Sequence, residues 1–443
     1  MDYESYFKGK RITLMGLGLL GRGVGDARFL AECGAELIVT DLKSEEMLKD
    51  SLTQLSQFKN ITYRLGKHEL EDFCDRDLIV KAAGVPLDSP FIAEAHKNKI
   101  PVRMSADLFA ELVGVPVVGV TGTRGKSTVT HMIAHILETA GMKVVIGGNV
   151  RGVSTLSQLK VVVSDTIAVL ELDSWQLQGF GEAKLSPHIA VFTTFFPDHM
   201  NYYHDDMKVY FADKANIFLR QSPEDTFVLG GQVAPFIKEY GYEKKVAAHT
   251  FIANSKNLPK QWKLQLPGEH NRYNAGLAVA AAAALGVDTD VIYKAVTSFK
   301  GVEGRLQFLS EKNGVKIYND NNATTPEATV AALRALGDSA KKNIILIMGG
   351  SDKGLVMSEL VHEISNYCKK VLLLAGTGTE RVKKEIPAAS DLIYQVTTDA
   401  VRDAFNTAEA GDIVLFSPAF ASFGMFKNEY DRNDQFVKAV SAL

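Results

Sequence analysis

A chain of 443 residues, 46% hydrophobic and 23% charged, is too long for one hydrophobic core and too ordinary in composition for a disordered or membrane-embedded protein. With 49 Lys and Arg against 52 Asp and Glu, its net charge of −3 offers no broad attraction for nucleic acid or acidic lipid, so any anion must be gripped locally. Cys33, Cys74 and Cys368 lie far apart without metal-type spacing, and the N-terminus carries no charged-then-apolar leader, which together predict a cytoplasmic protein with no membrane insertion.

In chain order, RITLMG at 11–16 reads as a strand. A glycine-rich turn then opens a helix with Val24, Ala27, Leu30 and Ala31 on one face, and AELIVTD at 35–41 is the next strand. Gly16, Gly18 and Gly21, with Asp41 ending that second strand, match a dinucleotide-type turn. Such a turn serves any nucleotide diphosphate, or simply lets helix and strand pack closely.

VPVVGV at 115–120 leads into TGTRGKST and then a helix whose apolar positions Val129, Met132, Ile133, Ile136, Leu137 and Ala140 recur at helical spacing. Gly141 stands where a C-terminal glycine belongs. TIAVLEL (166–172) and HIAVFTTF (188–195) read as buried strands, and 274–285 as an alanine-rich helix. The alternation restarts with VKIYND, NIILIMGG, KVLLLAG and DIVLFSP. Between the first two, Thr325, Pro326 and Gly337 mark the ends of a helix. The pattern predicts an α/β protein of three domains: a Rossmann-like domain over 1–104, a central P-loop ATPase-like domain with a mostly parallel sheet over 105–300, and a second Rossmann-like domain over 301–443.

The segment Gly122, Thr123, Arg124, Gly125, Lys126, Ser127, Thr128 lies between a predicted strand and a predicted helix. In that setting backbone N–H groups and a helix N-terminus converge on phosphate oxygens. Lys126 is suited to the terminal phosphates and the Ser127 hydroxyl to Mg²⁺. Position 120 is valine where the general phosphate loop has its first glycine, so the loop is a variant.

VTGTRGKST (120–128), GGNV (147–150), ELDSWQL (171–177), PDHMNYY (197–203), ADKANIF (212–218), GEHNRYN (268–274), EGRLQF (303–308), NDNNAT (319–324), GGSDKG (349–354) and SPAFASFGMFKN (417–428) together resemble the Mur ligase superfamily, most of all its glutamate-adding members. The resemblance spans all three predicted domains. It implies a magnesium- and ATP-dependent ligase that takes UDP-N-acetylmuramoyl-L-alanine, glutamate and ATP as substrates in peptidoglycan precursor synthesis and works as a monomer. It also implies site residues. Lys126, His199 and Lys214 would be catalytic, and Ser127, Glu171, His199 and Lys214 would serve two Mg²⁺ ions, Lys214 as a carbamate derived from CO2. Asn271, Asn274, Arg305 and Asp320 would join the phosphate loop on ATP. Gly18, Leu19, Leu20, Asp41, Lys43, Gly84, Asn149 and His199 would meet the UDP-sugar, and Thr324, Lys353, Ser422 and Phe423 the amino acid.

The chain departs from the glutamate-adding pattern at Asn322, where lysine is usual, at Glu429, where an aromatic residue is common, at Gly304, where histidine is frequent, and at Ala82-Ala83-Gly84, where Ser-Pro-Gly is usual. Losing a cation weakens an acidic amino acid's pocket, so the identity of the added amino acid stays open, as does another ligase of the superfamily. Two readings of other classes remain: an NAD(P)-dependent oxidoreductase from the N-terminal glycine turn, and a catalytically silent nucleotide-binding protein.

Overall fold

Three sheets organise the chain in the computed structural model, which describes residues 2–19, 21–386 and 388–443. The first contains β1 (Arg11–Met15), β2 (Glu36–Asp41), β3 (Ile61–Leu65), β4 (Leu78–Lys81) and β5 (Val102–Arg103) in the order β3-β2-β1-β4-β5. All its pairs are parallel, and the order reverses beside β1, whose carboxyl end feeds the glycine turn. The second contains β6 (Val117–Thr121), β7 (Lys143–Gly148), β8 (Thr166–Glu171), β9 (Ile189–Phe192), β10 (Thr226–Gly230) and β11 (His249–Ala253), ordered β11-β10-β9-β6-β8-β7. It too is wholly parallel, with β6 between β8 and β9.

The third sheet runs β12-β13-β17-β14-β15-β16, from β12 (Gln307–Lys312), β13 (Val315–Asn319), β14 (Ile344–Gly349), β15 (Cys368–Leu374), β16 (Ala389–Tyr394) and β17 (Ile413–Phe416). Only the edge strand β12 is antiparallel. Side chains alternate between two apolar clusters: Ile344, Leu346 and Met348 enter one, Ile345 and Ile347 the other. A strand covered on both faces must be apolar at every position, which is why IILIM shows no alternation in the sequence.

By packing, the chain forms two compact units. One joins Met1–Asn257 with Asn274–Ala295, the other Leu258–Tyr273 with Val296–Leu443. Inside the first unit a single buried cluster runs from Phe7 to Ala248, so the first two sheets share a core. The helix Ser105–Leu112 helps to join them: Leu108, Phe109 and Leu112 are all buried, and Asp107 caps its start through the Met104 N–H at 2.7 Å while pairing with Arg103.

The predicted helix after the phosphate loop is Lys126–Thr139, and Gly141 follows it at φ 78° with its N–H on the Glu138 carbonyl. The helix Pro326–Leu336 also starts at Thr325 and Pro326, but Gly337 there has φ −78°. Glycine is needed at 337 for space: a Cβ would strike the Tyr367 ring. Among the described residues no helix is long and apolar enough to cross a membrane.

The helix Arg22–Glu32 packs so closely on the second sheet's domain that a Cβ at Gly25 would lie 2.5 Å from the Ser154 Cβ. In a free helix alanine is favoured over glycine by about 1 kcal/mol, whereas overpacking costs about 1–3 kcal/mol. Gly25→Ala is therefore expected to lower the melting temperature; an increase would contradict this packing.

Candidate active site

The phosphate loop leaves β6 at Thr121. Gly122 (φ 142°) and Gly125 (φ 89°) adopt backbone conformations disfavoured for other residues, and a Cβ at Gly125 would lie 2.5 Å from the Asn274 Oδ1. The loop is stitched to the segment after β9. The Thr123 N–H donates to the Thr194 carbonyl (2.7 Å), the Arg124 N–H to the Thr194 hydroxyl (2.8 Å), and the Thr193 hydroxyl to the Arg124 carbonyl (2.6 Å). Lys126 curls back, its Nζ 2.9 Å from the Gly122 carbonyl, and begins the helix that carries Ser127.

Glu171 ends β8 opposite Val120 of β6 and Gly148 of β7. It is 4% exposed, and among the described residues no hydrogen bond or ion pair reaches its carboxylate. Its carbonyl accepts the Asn149 N–H at 2.7 Å, and the Asn149 Oδ1 accepts from Arg22 at 2.8 Å.

Lys214, 1% exposed on the helix Met207–Ala215, brings its Nζ to 3.2 Å from the Gly122 carbonyl and 3.4 Å from the Thr121 hydroxyl, 4.9 Å from the Tyr210 ring centre. Burial, reinforced by the Lys126 charge and opposed by Asp173, Asp198 and Asp213, holds this amine well below the usual lysine range. The neighbouring Asp213 accepts from Gln178 (2.8 Å) and Tyr203 (3.0 Å).

His199 sits at φ 55°, a conformation uncommon outside glycine, with its N–H on the Asp198 carboxylate at 3.0 Å and its ring 4.6 Å from that of Trp175. Burial lowers the imidazole pKa; Asp198 opposes this, and Lys126 and Lys214 add to it, so the ring is neutral at neutral pH. Burial pushes the Asp198 carboxyl up, but His199, Arg124 and Lys126 outweigh that and hold it below the usual range. Asp198 also pairs with Arg124 at 3.0 Å.

In the N-terminal glycine turn, Asp41 accepts the Gly18 N–H at 2.8 Å and the Lys43 N–H at 2.9 Å. Its carboxylate thus braces the turn. Leu19 is 52% exposed, Gly84 has open space around it, and Leu20 lies outside the described residues.

In the second unit, Asp320 follows β13 and accepts the Leu306 N–H at 3.0 Å and the Ser417 hydroxyl at 2.9 Å, with Arg305 close enough to favour its charge. The Lys353 Nζ is 3.2 Å from the Thr324 hydroxyl, Ser422 is buried, Phe423 is exposed, and Ser351 donates to the Phe423 carbonyl. Asn271 donates to the Pro267 carbonyl at 2.8 Å. Two of the departures from the family pattern prove to be neighbours. The Asn322 N–H bonds the Gly304 carbonyl at 2.9 Å, and a Cβ at Gly304 would lie 3.2 Å from the Asn322 Nδ2. Arg432, fully buried, ties the loops after β13 and β17 by donating to the Asn321 Oδ1 (2.8 Å), the Asn321 carbonyl (2.8 Å) and the Phe420 carbonyl (3.0 Å).

Three family models match the chain in order: a Mur ligase MurD-like N-terminal domain at 10–104, a Mur ligase middle domain at 120–282, and a Mur ligase glutamate ligase domain at 304–420. The chain belongs to the Mur ligase family. It is 37% identical to the UDP-N-acetylmuramoylalanine–D-glutamate ligase of Roseiflexus sp. (strain RS-1), across 98% of this chain and 99% of that protein. It is 33% identical to the enzyme of the same name from Koribacter versatilis, across 98% of each. In fold it is similar to the UDP-N-acetylmuramate-alanine ligase of Thermotoga maritima, with a TM-score of 0.60 at 17% identity over 98% of this chain and 99% of that one.

Mur ligases are ATP-dependent, ADP-forming amide ligases, and magnesium is implied by the family. The residues of this Mur ligase fit that ion. A buried carboxylate at Glu171, unpartnered among the described residues, adjoins a phosphate loop bearing Ser127, and Mg²⁺ is commonly held by one or two protein oxygens with substrate phosphates and water. Among the described residues no three His, Cys, Asp or Glu side chains converge as a ready-made metal cage. Sequence reasoning missed Asp198, Tyr210 and Arg432. The first two lie in or beside the PDHMNYY and ADKANIF segments, but acids and aromatics are too common there to stand out.

Burial raises the Asp320 carboxyl to about 7, against the lowering effects of Ser417, Leu306 and Arg305. A raised carboxyl binds its proton more tightly in the folded state. Its contribution to stability is therefore full below the ordinary value of 3.8 and is lost as pH climbs through about 7. The melting temperature of Asp320→Asn relative to wild type is expected to rise between about pH 5 and about pH 8. A pH-independent difference would contradict this state of the carboxyl.

Proposed function

We propose that this Mur ligase adds glutamate to UDP-N-acetylmuramoyl-L-alanine with ATP, as a cytoplasmic monomer in peptidoglycan precursor synthesis. The observation that carries the chemistry is the meeting of Lys126, the buried Glu171 and the buried Lys214 amine at the carboxyl ends of β6 and β8 and the loop beside them. The full-length similarity to ligases named for D-glutamate supports the substrate pair.

A carboxylate is a poor acyl donor because its oxygen leaves badly. Its attack on the γ-phosphorus of ATP forms an acyl phosphate and releases ADP, and the amino group then attacks the acyl carbon and expels phosphate. The loop N–H groups and Lys126 hold the triphosphate and stabilise charge on the transferring phosphoryl group. Mg²⁺, bound through Ser127 and Glu171, supplies further charge neutralisation and positioning. The neutral His199 ring offers a lone pair to a second ion or a hydrogen bond to the sugar-linked substrate. Asn274 is placed against the loop at Gly125. Asn271, Arg305 and Asp320 are further ATP residues of this proposal, Gly18, Leu19, Asp41, Lys43, Gly84 and Asn149 belong to the UDP-sugar, and Thr324, Lys353, Ser422 and Phe423 to the amino acid, all on the resemblance of their motifs.

Lys214 has a further role here. An ordinary lysine, with a pKa of about 10.4, is neutral in only about one in 2,500 molecules at pH 7. Burial beside Lys126 makes the neutral amine available. Its nitrogen adds to CO2, forming an N–C bond and releasing a proton to water, and the resulting carbamate is a second carboxylate for metal. Lys214→Ala is expected to lose activity by about a hundredfold or more, and small carboxylates such as acetate are expected to restore part of it. Retained activity, or a loss that no carboxylate relieves, would contradict the carbamate.

A second reading, in which the amino acid is another one or L-glutamate, is favoured by the joint change at Gly304 and Asn322. Both readings require phosphate release that depends on UDP-N-acetylmuramoyl-L-alanine and on an amino acid together. A panel including both enantiomers of glutamate, scored by the mass of the UDP-linked product, is expected to show the D-glutamate adduct. Product with another amino acid alone would select the second reading, and no dual dependence would overturn both.

A further inference from the structure

Arg22 stands at the first position of the helix Arg22–Glu32, directly after Gly21 closes the N-terminal glycine turn. Its half-buried guanidinium reaches out of the first sheet's domain to the Asn149 carboxamide beside the second sheet, 2.8 Å from the Oδ1. Asn149 is itself fixed, its N–H on the Glu171 carbonyl at 2.7 Å. One side chain therefore links the glycine turn, through Asn149, to the strand end that carries Glu171.

The placement of Arg22 is enforced along its helix. A Cβ at Gly21 would lie 3.8 Å from the Gly152 Cα, and Gly25 abuts Ser154. Asp26, one turn on from Arg22, is buried and accepts the Ser154 hydroxyl at 2.6 Å and the Ser105 hydroxyl at 2.8 Å. At the far end Glu32 pairs with Lys160. These contacts fix the helix against residues 149–160, so the guanidinium is pre-organised rather than recruited on binding. A guanidinium has five donors, and among the described residues Arg22 commits one of its nitrogens, to Asn149. Planar forked donors suit phosphate oxygens, and Lys43 supplies a second cation at the same turn.

We propose that Arg22 is a specificity-determining residue for the nucleotide-linked acceptor: it contacts the diphosphate at the glycine turn with its remaining donors while holding Asn149. This rests on the proposed function for the identity of the acceptor, but its ligand class, a nucleoside diphosphate, can be tested alone.

The experiment titrates the full-length protein with UDP by calorimetry and measures KM for each substrate, in wild type, Arg22→Met, Arg22→Lys, Asn149→Ala, Arg22→Met/Asn149→Ala and Glu32→Gln. Arg22→Met is expected to weaken UDP binding and raise KM for the UDP-linked substrate by about tenfold, as one charge-assisted hydrogen bond is worth. KM for ATP and for the amino acid is expected to be unchanged, and the salt dependence of UDP binding to become shallower. Arg22→Lys should recover part of the loss, since it keeps the charge without the fork. The double variant should be less impaired than the product of the single losses, because the two residues act as a pair. Glu32→Gln removes an ion pair at the far end of the same helix and should lower thermal stability without changing either binding constant. Unchanged UDP affinity in Arg22→Met, or equal losses for ATP and UDP, would overturn the inference. Wild type that binds UDP without ligating would refute the proposed function while the titrations still decide the role of Arg22, and wild type that does not bind UDP would overturn both.

Discussion

The buried amine of Lys214 governs the rest of the central site. An ammonium in a low-dielectric interior costs several kcal/mol unless a carboxylate meets it, yet among the described residues Lys214 donates only to the neutral oxygens of Thr121 and Gly122. On β8, the strand beside β6, the buried Glu171 carboxylate has no partner among the described residues. A sequence selected for stability alone would have joined these two groups or replaced them with apolar ones. Both are kept apart at the mouth of a phosphate loop, an arrangement that makes sense when a polyanion and its cations complete the charge balance. Burial, against the opposing pull of Asp198, likewise lowers the imidazole pKa of His199 beside the same loop.

Rigidity around those uncompensated groups comes from ordinary structure. Three parallel strands, β6, β8 and β9, converge on the loop. The segment after β9 holds it through Thr193 and Thr194, and the helix Arg22–Glu32 fastens the nucleotide-type turn to the same sheet's domain. In the second unit Arg432 does comparable work: a buried guanidinium satisfied by Asn321 and Phe420 locks together the two loops that carry Asp320, Thr324 and Ser422.

Much of this was legible in the sequence because its signals are local. The phosphate loop needs only a strand, two glycines, Lys-Ser and a helix; the amphipathic spacing from Val129 to Ala140 and the glycine at 141 located that helix and its end. The resemblance supplied Lys214 and Glu171, whose residue types alone look like a solvated helix lysine and a strand-end acid. What stayed hidden depends on tertiary placement. The apolar face of Ser105–Leu112 reveals that something covers it, not that the first two sheets share one core. Asp41 has the spacing of a ribose-binding acid, but its carboxylate is taken by the Gly18 and Lys43 N–H groups. Gly337 stands where a helix-ending glycine belongs, yet its small size, set by Tyr367, is what counts. Gly304 and Asn322 look like two separate losses in sequence and form one contact in space.

The most direct test of the central claim follows the oxygen atoms. With the acceptor's reacting carboxylate labelled with ¹⁸O, turnover in the presence of magnesium, ATP and the amino acid should place one labelled oxygen in each inorganic phosphate released, because the carboxylate oxygen that attacks phosphorus departs with it. Unlabelled phosphate released alongside amide product would contradict activation of the acid at the phosphate loop.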